Sequence, residues 1–147
     1  MMNSQESHSL YRVFCQVVRF HYYRTYTLLE KIGVYPGQHP LLFSLAKKDG
    51  QSQKELTEKL YIKAATMTVM LNRLEKSELI KRCADDDDRR VSRVYLTEKG
   101  RKTSREVKKA LKTIDEECFG NFTAEERDLL RKFLMQMRDN LLKTIDQ

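Results

Sequence analysis

The chain has 147 residues, 40% hydrophobic and 33% charged, which fits one helix-rich domain with a modest core and excludes a disordered polymer. Lys and Arg number 28 against 21 Asp and Glu, a formal +7 that favours polyanionic partners, either nucleic acid or an anionic membrane surface. No apolar run approaches the roughly 18–20 residues of a membrane span, and Met1 to Ser9 is polar with no apolar stretch behind it, so the expected location is cytoplasmic.

Taken in chain order, the first element is a long helix over Ser9–Ile32. Its apolar stripe, Leu10, Phe14, Val17, His21, Leu28 and Ile32, advances in steps of three and four and is widened by Val13, Val18 and Leu29. Gly33 stops it, and Tyr35-Pro36-Gly37 is a turn signal. A shorter helix over Gln38–Lys48 closes at Asp49-Gly50. Ser52 and Glu55 have the spacing of a capping box, opening a helix whose apolar face is Leu56 and Leu60. After Tyr61-Ile62 the next helix spans about Lys63–Ser77. Met67, Met70, Leu71 and Leu74 mark its buried side, and Lys63, Thr66, Thr68, Asn72 and Arg73 decorate the rest. Two short helices joined by a tight turn, the second with small and polar residues near its start, form a helix-turn-helix pattern.

The period then changes from helical to alternating. Leu79–Cys83 and Ser92–Leu96 read as strands around the loop from Ala84 to Arg90, with Val94 and Leu96 on one face and Arg93 and Tyr95 on the other. A hairpin behind a helix-turn-helix is a wing. Beyond Thr97-Glu98-Lys99-Gly100 a helix carries Val107, Leu111, Ile114 and Cys118 to about Phe119, and Gly120-Asn121 breaks it. Thr123 and Glu126 then cap a last helix bearing Leu130, Phe133, Leu134, Met137, Leu141 and Ile145. The predicted fold is mainly α (α+β), a winged helix-turn-helix with a two-stranded wing. Residues 36–100 form the DNA-binding lobe of a single domain, and 9–35 and 101–147 are expected to be dimerisation helices. Their apolar faces need cover, either from a second copy in a two-fold dimer or from one another in a monomeric bundle.

Chemistry other than binding has little to stand on. The sequence holds no nucleophile elbow, phosphate loop or HExxH, so no enzyme is expected. Cys15, Cys83 and Cys118 are far apart, no CxxC occurs, and His8, His21 and His39 make no i,i+4 pair, so neither a metal site nor a cofactor is predicted. The run Asp85–Asp88 suggests a calcium loop only superficially. Position six would be Arg90 and position twelve Leu96, where glycine and glutamate are required. Turn chemistry and pairing with Arg89, Arg90 or Arg93 account for it better.

At this point a family is discernible. The segment Ile62-Lys-Ala-Ala-Thr-Met-Thr-Val-Met-Leu-Asn-Arg-Leu-Glu-Lys-Ser-Glu-Leu-Ile-Lys-Arg82 resembles the recognition helix and first wing strand of the MarR family. Asp85 to Arg90, as D-x-x-D-R-R, and Leu96-Thr97-Glu98-Lys99-Gly100, as L-T-x-x-G, resemble its wing and wing exit. The resemblance implies a homodimeric transcriptional regulator, usually a repressor, on a pseudo-palindromic double-stranded operator. It also implies release by a small phenolic or other effector or by cysteine oxidation. The helix from Lys63 would enter the major groove and Arg90 the adjacent minor groove, with Asp88 orienting the basic pair Arg89-Arg90. The side chains suit those roles: Thr66, Thr68 and Asn72 can hydrogen-bond bases or phosphates. Ala64 and Ala65 permit close approach, and Lys63 and Arg73 can bind phosphate. Thr68 and Asn72 can equally be solvated helix positions.

Two residues depart from the family pattern. Glu78 stands where relatives have glycine, so the recognition helix is expected to end differently, and Lys63 replaces a Ser or Thr cap. The family's effector pocket, between the lobe and the flanking helices, would here involve His21, Tyr22, His39 and Phe43. A thiol sensor at Cys15 is an alternative, although Cys15 lies about one turn later than the family position, which Tyr11 approaches. A winged protein-interaction adaptor that has lost DNA binding is the other alternative; it predicts loss of the basic residues that Lys63, Arg73, Arg89, Arg90 and Arg93 supply.

Overall fold

Ser9 opens the first helix of the computed structural model, which describes residues 9–145; its hydroxyl accepts from the Arg12 amide at 3.3 Å. Helix α1 covers Leu10–Glu30, a 3-10 turn Pro36–Gln38, and α2 His39–Lys47. A short strand β1 (Gln51–Ser52) leads directly into α3 (Gln53–Leu60), and α4 follows at Ala64–Lys76. The wing strands are β2 (Ile80–Ala84) and β3 (Ser92–Leu96), and the chain ends in α5 (Glu98–Phe119) and α6 (Ala124–Ile145).

The expected capping box is present: Ser52 Oγ accepts from the Glu55 amide at 3.1 Å, and the Glu55 carboxylate accepts from the Ser52 amide at 3.0 Å. The same Ser52 belongs to β1, which adds a third strand to the sheet beside the expected two-stranded wing. The sheet has three antiparallel strands in the order β1-β3-β2, with Gln51 opposite Val94, Arg82 opposite Val94 on the other side, and Ile80 opposite Leu96. A strand of two residues has no period to detect, and its cap role disguises it. What holds β1 is tertiary. The Gly50 amide donates to the Val94 carbonyl at 3.0 Å, and the buried Gln51 amide donates to the carbonyls of Ser44 and Lys48.

The core is centred on the lobe and completed from the flanking segments. Leu41, Leu42 and Leu45 of α2, Leu56 of α3, Met67, Leu71 and Leu74 of α4, and Val94 of β3 are fully buried together, joined by Leu29, Val34 and Val107. The helix termini around it close by the same device twice. At Gly33 (φ +74°) and at Glu78 (φ +61°), the following amide, of Val34 or Leu79, reaches back five residues to Leu29 or Leu74. Glycine takes this left-handed conformation freely; glutamate pays roughly 1–2 kcal/mol for it.

The chain divides into two compact units between Leu111 and Lys112, inside α5. In the second unit Arg127 fastens the end of α5 to the start of α6. Its Nε donates to the Phe119 carbonyl at 3.2 Å, its guanidinium lies 5.9 Å from the Phe119 ring centre, and it pairs with Asp115 at 3.5 Å. Thr123 Oγ1 accepts from the Glu126 amide at 3.1 Å, capping α6. No residue of α6 is buried.

Candidate nucleic-acid interface

Helix α4 turns Met67, Leu71 and Leu74 into the core. At 100° per residue the opposite face carries Ala65, Val69, Asn72 and Lys76, with Thr66 and Arg73 on one flank and Thr68 and Glu75 on the other. All eight side chains are exposed. Val69, 49% exposed, was not expected at this surface; an apolar side chain here can meet a thymine methyl as Ala64 and Ala65 can. Lys63 occupies the N-cap without a side-chain acceptor, so the first-turn amides of α4 are left for an outside partner.

Several of the expected contact residues have partners inside the protein. Thr68 Oγ1 accepts from Gln53 Nε2 at 2.8 Å and donates to the Ala64 carbonyl at 3.0 Å, tying the two helices of the motif together. Asn72 Oδ1 accepts from Arg82 Nη2 at 2.7 Å. The same guanidinium grips Glu75 with two bonds, Nη2 to Oε1 at 3.0 Å and Nε to Oε2 at 3.1 Å. This hydrogen-bonded partner holds the Glu75 carboxyl below its ordinary pKa. Arg82 was not among the expected site residues. Its signal was its place two residues after the buried Ile80, on the strand face turned toward α4.

The far end of α4 is knotted to α5. Thr97 donates through its hydroxyl to the Glu78 carbonyl at 2.6 Å and through its amide to the Leu79 carbonyl at 3.1 Å. Lys99 Nζ donates to the Ser77 carbonyl at 3.0 Å, and the Gly100 amide donates to Thr97 Oγ1 at 2.9 Å. A Cβ on Gly100 would stand 2.0 Å from the Leu79 oxygen. The Thr-x-x-Gly spacing therefore serves this junction: the threonine caps α5 while bonding the end of the recognition helix, and the glycine admits the close approach. Contrary to expectation, the helix keeps the left-handed ending at Glu78, with these bonds offsetting its strain.

In the wing, Asp85 pairs with Arg93 at 3.0 Å, and Arg93 also donates to the Gly50 carbonyl at 3.0 Å, bracing the hairpin against the loop before β1. Asp88 accepts from Arg90 three times, from its amide at 3.1 Å, its Nε at 3.0 Å and its Nη2 at 3.1 Å. The Arg90 bonds hold the Asp88 carboxyl below its usual range. The Arg90 side chain is nevertheless 91% exposed, a guanidinium aimed outward from the wing tip beside the exposed Arg89.

Of the four expected effector residues, His39 and Phe43 meet edge to face at 6.1 Å. Burial pushes the His39 imidazole pKa down, the Pro36 carbonyl partly opposes this, and nearby His21 adds to it. Tyr22 is exposed and packs on Tyr23. Only Phe43 reaches a groove of about 450 Å³, whose other walls are Ala46 and Lys47 of α2 and Ser104, Arg105 and Lys108 of α5. Cys15, Cys83 and Cys118 are free and exposed, and a hydrogen bond with Cys15 raises the Tyr11 phenol pKa. Among the described residues no helix is long and apolar enough to cross a membrane.

A recognition helix braced at both ends, beside a hairpin that presents an arginine, defines a winged helix-turn-helix DNA-binding protein. The family model described as "MarR family" matches residues 34–92, which run from the start of the lobe through the wing loop. The HTH-type transcriptional regulator YsmB of Bacillus subtilis (strain 168) is 30% identical over 114 residues, 78% of each chain. A MarR transcriptional regulator from Methanosarcina mazei Go1 superposes with a TM-score of 0.78 at 30% identity, covering 90% of this chain and 96% of that one. The transcriptional repressor CouR, solved bound to a 23-mer DNA duplex, shares the fold with a TM-score of 0.82 at 24% identity, over 94% and 98% of the two chains. The chain belongs to the MarR family of transcriptional regulators.

Proposed function

We propose that this regulator is a cytoplasmic repressor that binds a pseudo-palindromic operator as a homodimer and leaves it when a small, phenolic-type ligand binds. The observation that carries the DNA reading is the pairing of the exposed α4 face with Arg90, 91% exposed yet oriented by three bonds to Asp88. A flexible arginine pays entropy to enter a minor groove, and one held by a carboxylate has paid part of it already. Lys63, Arg73 and Arg89 supply phosphate contacts, and Ala64, Ala65, Thr66 and Asn72 lie nearest the bases. Thr68 acts by positioning α4 through Gln53.

The dimer reading rests on apolar surface without cover. In α1 the exposures are 88% at Leu10, 57% at Val17 and 64% at Phe20, and in α6 50% at Phe133 and 58% at Leu141. Two-fold symmetry would present two recognition helices to half-sites about one helical turn apart. The repressor assignment is supported by CouR, which shares the fold and is a repressor bound to a DNA duplex. The groove at Phe43, apolar at its floor and rimmed by Lys47, Arg105 and Lys108, suits an aromatic anion.

Fluorescence anisotropy on the upstream intergenic duplex, beside a scrambled one and across several salt concentrations, tests this. Binding roughly 1000-fold tighter than to the scramble and steeply salt-dependent is expected. Arg90→Ala should lower specific affinity about tenfold or more; unchanged affinity would remove the wing from the contact. Equal weak binding to every duplex, with no sequence enriched from a random library, would replace this reading by the protein-interaction adaptor.

A further inference from the structure

The contact between Arg82 and Asn72 bears on which base the recognition helix reads. A guanidinium has donors and no acceptor, so the Asn72 atom 2.7 Å from Arg82 Nη2 is the amide oxygen, and the orientation of the amide is fixed by chemistry. Arg82 is in turn held by both carboxylate oxygens of Glu75, so it does not swing away cheaply. The Asn72 Nδ2 group is left as the end available to the exposed face of α4.

An asparagine that reads adenine uses both ends of its amide, accepting from the base N6 and donating to N7. Here the oxygen already accepts from a cation. A second donor brought to that oxygen from adenine would also face the positive guanidinium. The same bond polarises the amide and strengthens Nδ2–H as a donor. On the same face Val69 stands one helical turn before Asn72 and is 49% exposed, an apolar neighbour that suits a base carrying a methyl group.

Resting on the operator reading above, we infer that Arg82 is a specificity-positioning residue. It makes Asn72 a donor-only reader of a keto base, guanine or thymine, and withholds adenine. Glu75 is the clamp that keeps Arg82 in that role.

The test begins with selection of a preferred duplex from a random library by the full-length protein. Anisotropy on every single-base variant of that duplex then follows for the wild type, Asn72→Ala and Arg82→Met. The wild type should prefer guanine or thymine over adenine by at least about fivefold at one position of each half-site. Asn72→Ala should flatten that position alone, and Arg82→Met should shift its preference toward adenine. 2-Aminopurine at a guanine site, or 5-methyl-2-pyrimidinone at a thymine site, removes the keto oxygen and should abolish the preference. The inference is overturned if the Asn72-dependent position selects adenine, or if Asn72→Ala weakens all duplexes equally, as a phosphate contact would. Should Arg82→Met fail to fold by circular dichroism, the base identity at the Asn72 position decides alone. A wild type that enriches no sequence overturns the operator reading itself, and this inference with it.

Discussion

Leucine behaves in opposite ways in two regions of this molecule. Leu41, Leu42, Leu45, Leu56 and Leu71 of the lobe are fully buried, whereas Leu10 of α1 and Leu129 and Leu141 of α6 are 88%, 52% and 58% exposed. The periodicity of these five helices gives no hint of the difference, since each carries apolar residues at helical spacing. What differs is whether the same chain supplies the opposing surface. The lobe closes within the chain, with Leu29 and Val107 lent by the outer helices, whose remaining apolar faces only another copy, on the proposed reading, would cover.

That contrast can be broken by substitution. The largest effect is expected at Leu71→Ala, where the lobe has no way to refill the space: about 2–5 kcal/mol of unfolding free energy, read from urea titration. Leu141→Glu should do little to the lobe but weaken association by about 1.5–3 kcal/mol for each side chain withdrawn from an interface. Sedimentation equilibrium would then find monomer at concentrations where the wild type is dimer; a wild type that is itself monomeric would sink the contrast as drawn. Glu78→Gly sharpens it from the other side. Relieving the left-handed strain should stabilise the lobe by about 0.5–1 kcal/mol after the flexible unfolded chain takes back part of the gain. A loss in thermal melting would instead show that the glutamate side chain contributes more than its backbone costs.

The smallest effect is a pH dependence at His39. Burial lowers its folded pKa below the unfolded value near 6.5, so the folded state prefers the neutral ring. Its contribution is therefore whole above about pH 6.5 and is lost as pH falls through the lower folded value. Replacing His39 by Phe should flatten the stability profile across that window, measured as melting temperature against pH. An unchanged slope would show that His39 does not carry the acid sensitivity there; the lowered carboxylates Glu75, Asp85 and Asp88 lose their contributions only at more acidic pH.

Most of the lobe could be read from local pattern. The capping box at Ser52 and Glu55, the change from helical to alternating period at Leu79 and the breaks at Gly33 and Gly120 are written in neighbouring residues, and the elements fall within one or two residues of expectation. What was hidden depends on distant parts of the chain. Strand β1 exists because β3 and Ser44 hold it, and Thr68 turned out to be a tie to Gln53 through a bond spanning fifteen positions. Arg82 acquires its role only when β2 is laid beside α4. The wing was partly legible: the acidic run beside Arg89, Arg90 and Arg93 foretold pairing, and the family resemblance implied Asp88 beside the basic pair, but nothing local said that Asp85 would take Arg93.

The knot at Thr97 and Gly100 makes the end of the recognition helix and the beginning of α5 one mechanical piece, and stiffness has a geometric price for whatever lies at the other end. Helix α4 is 13 residues long, so its start, base-facing on the proposed reading, lies about 20 Å from the joint. A tilt of about 5° there sweeps that start through nearly 2 Å, more than the few tenths of an ångström a hydrogen bond tolerates. A joint this rigid converts a slight lean of α5 into the loss of every contact at the far tip at once, so the grip on DNA should fail all together rather than finger by finger.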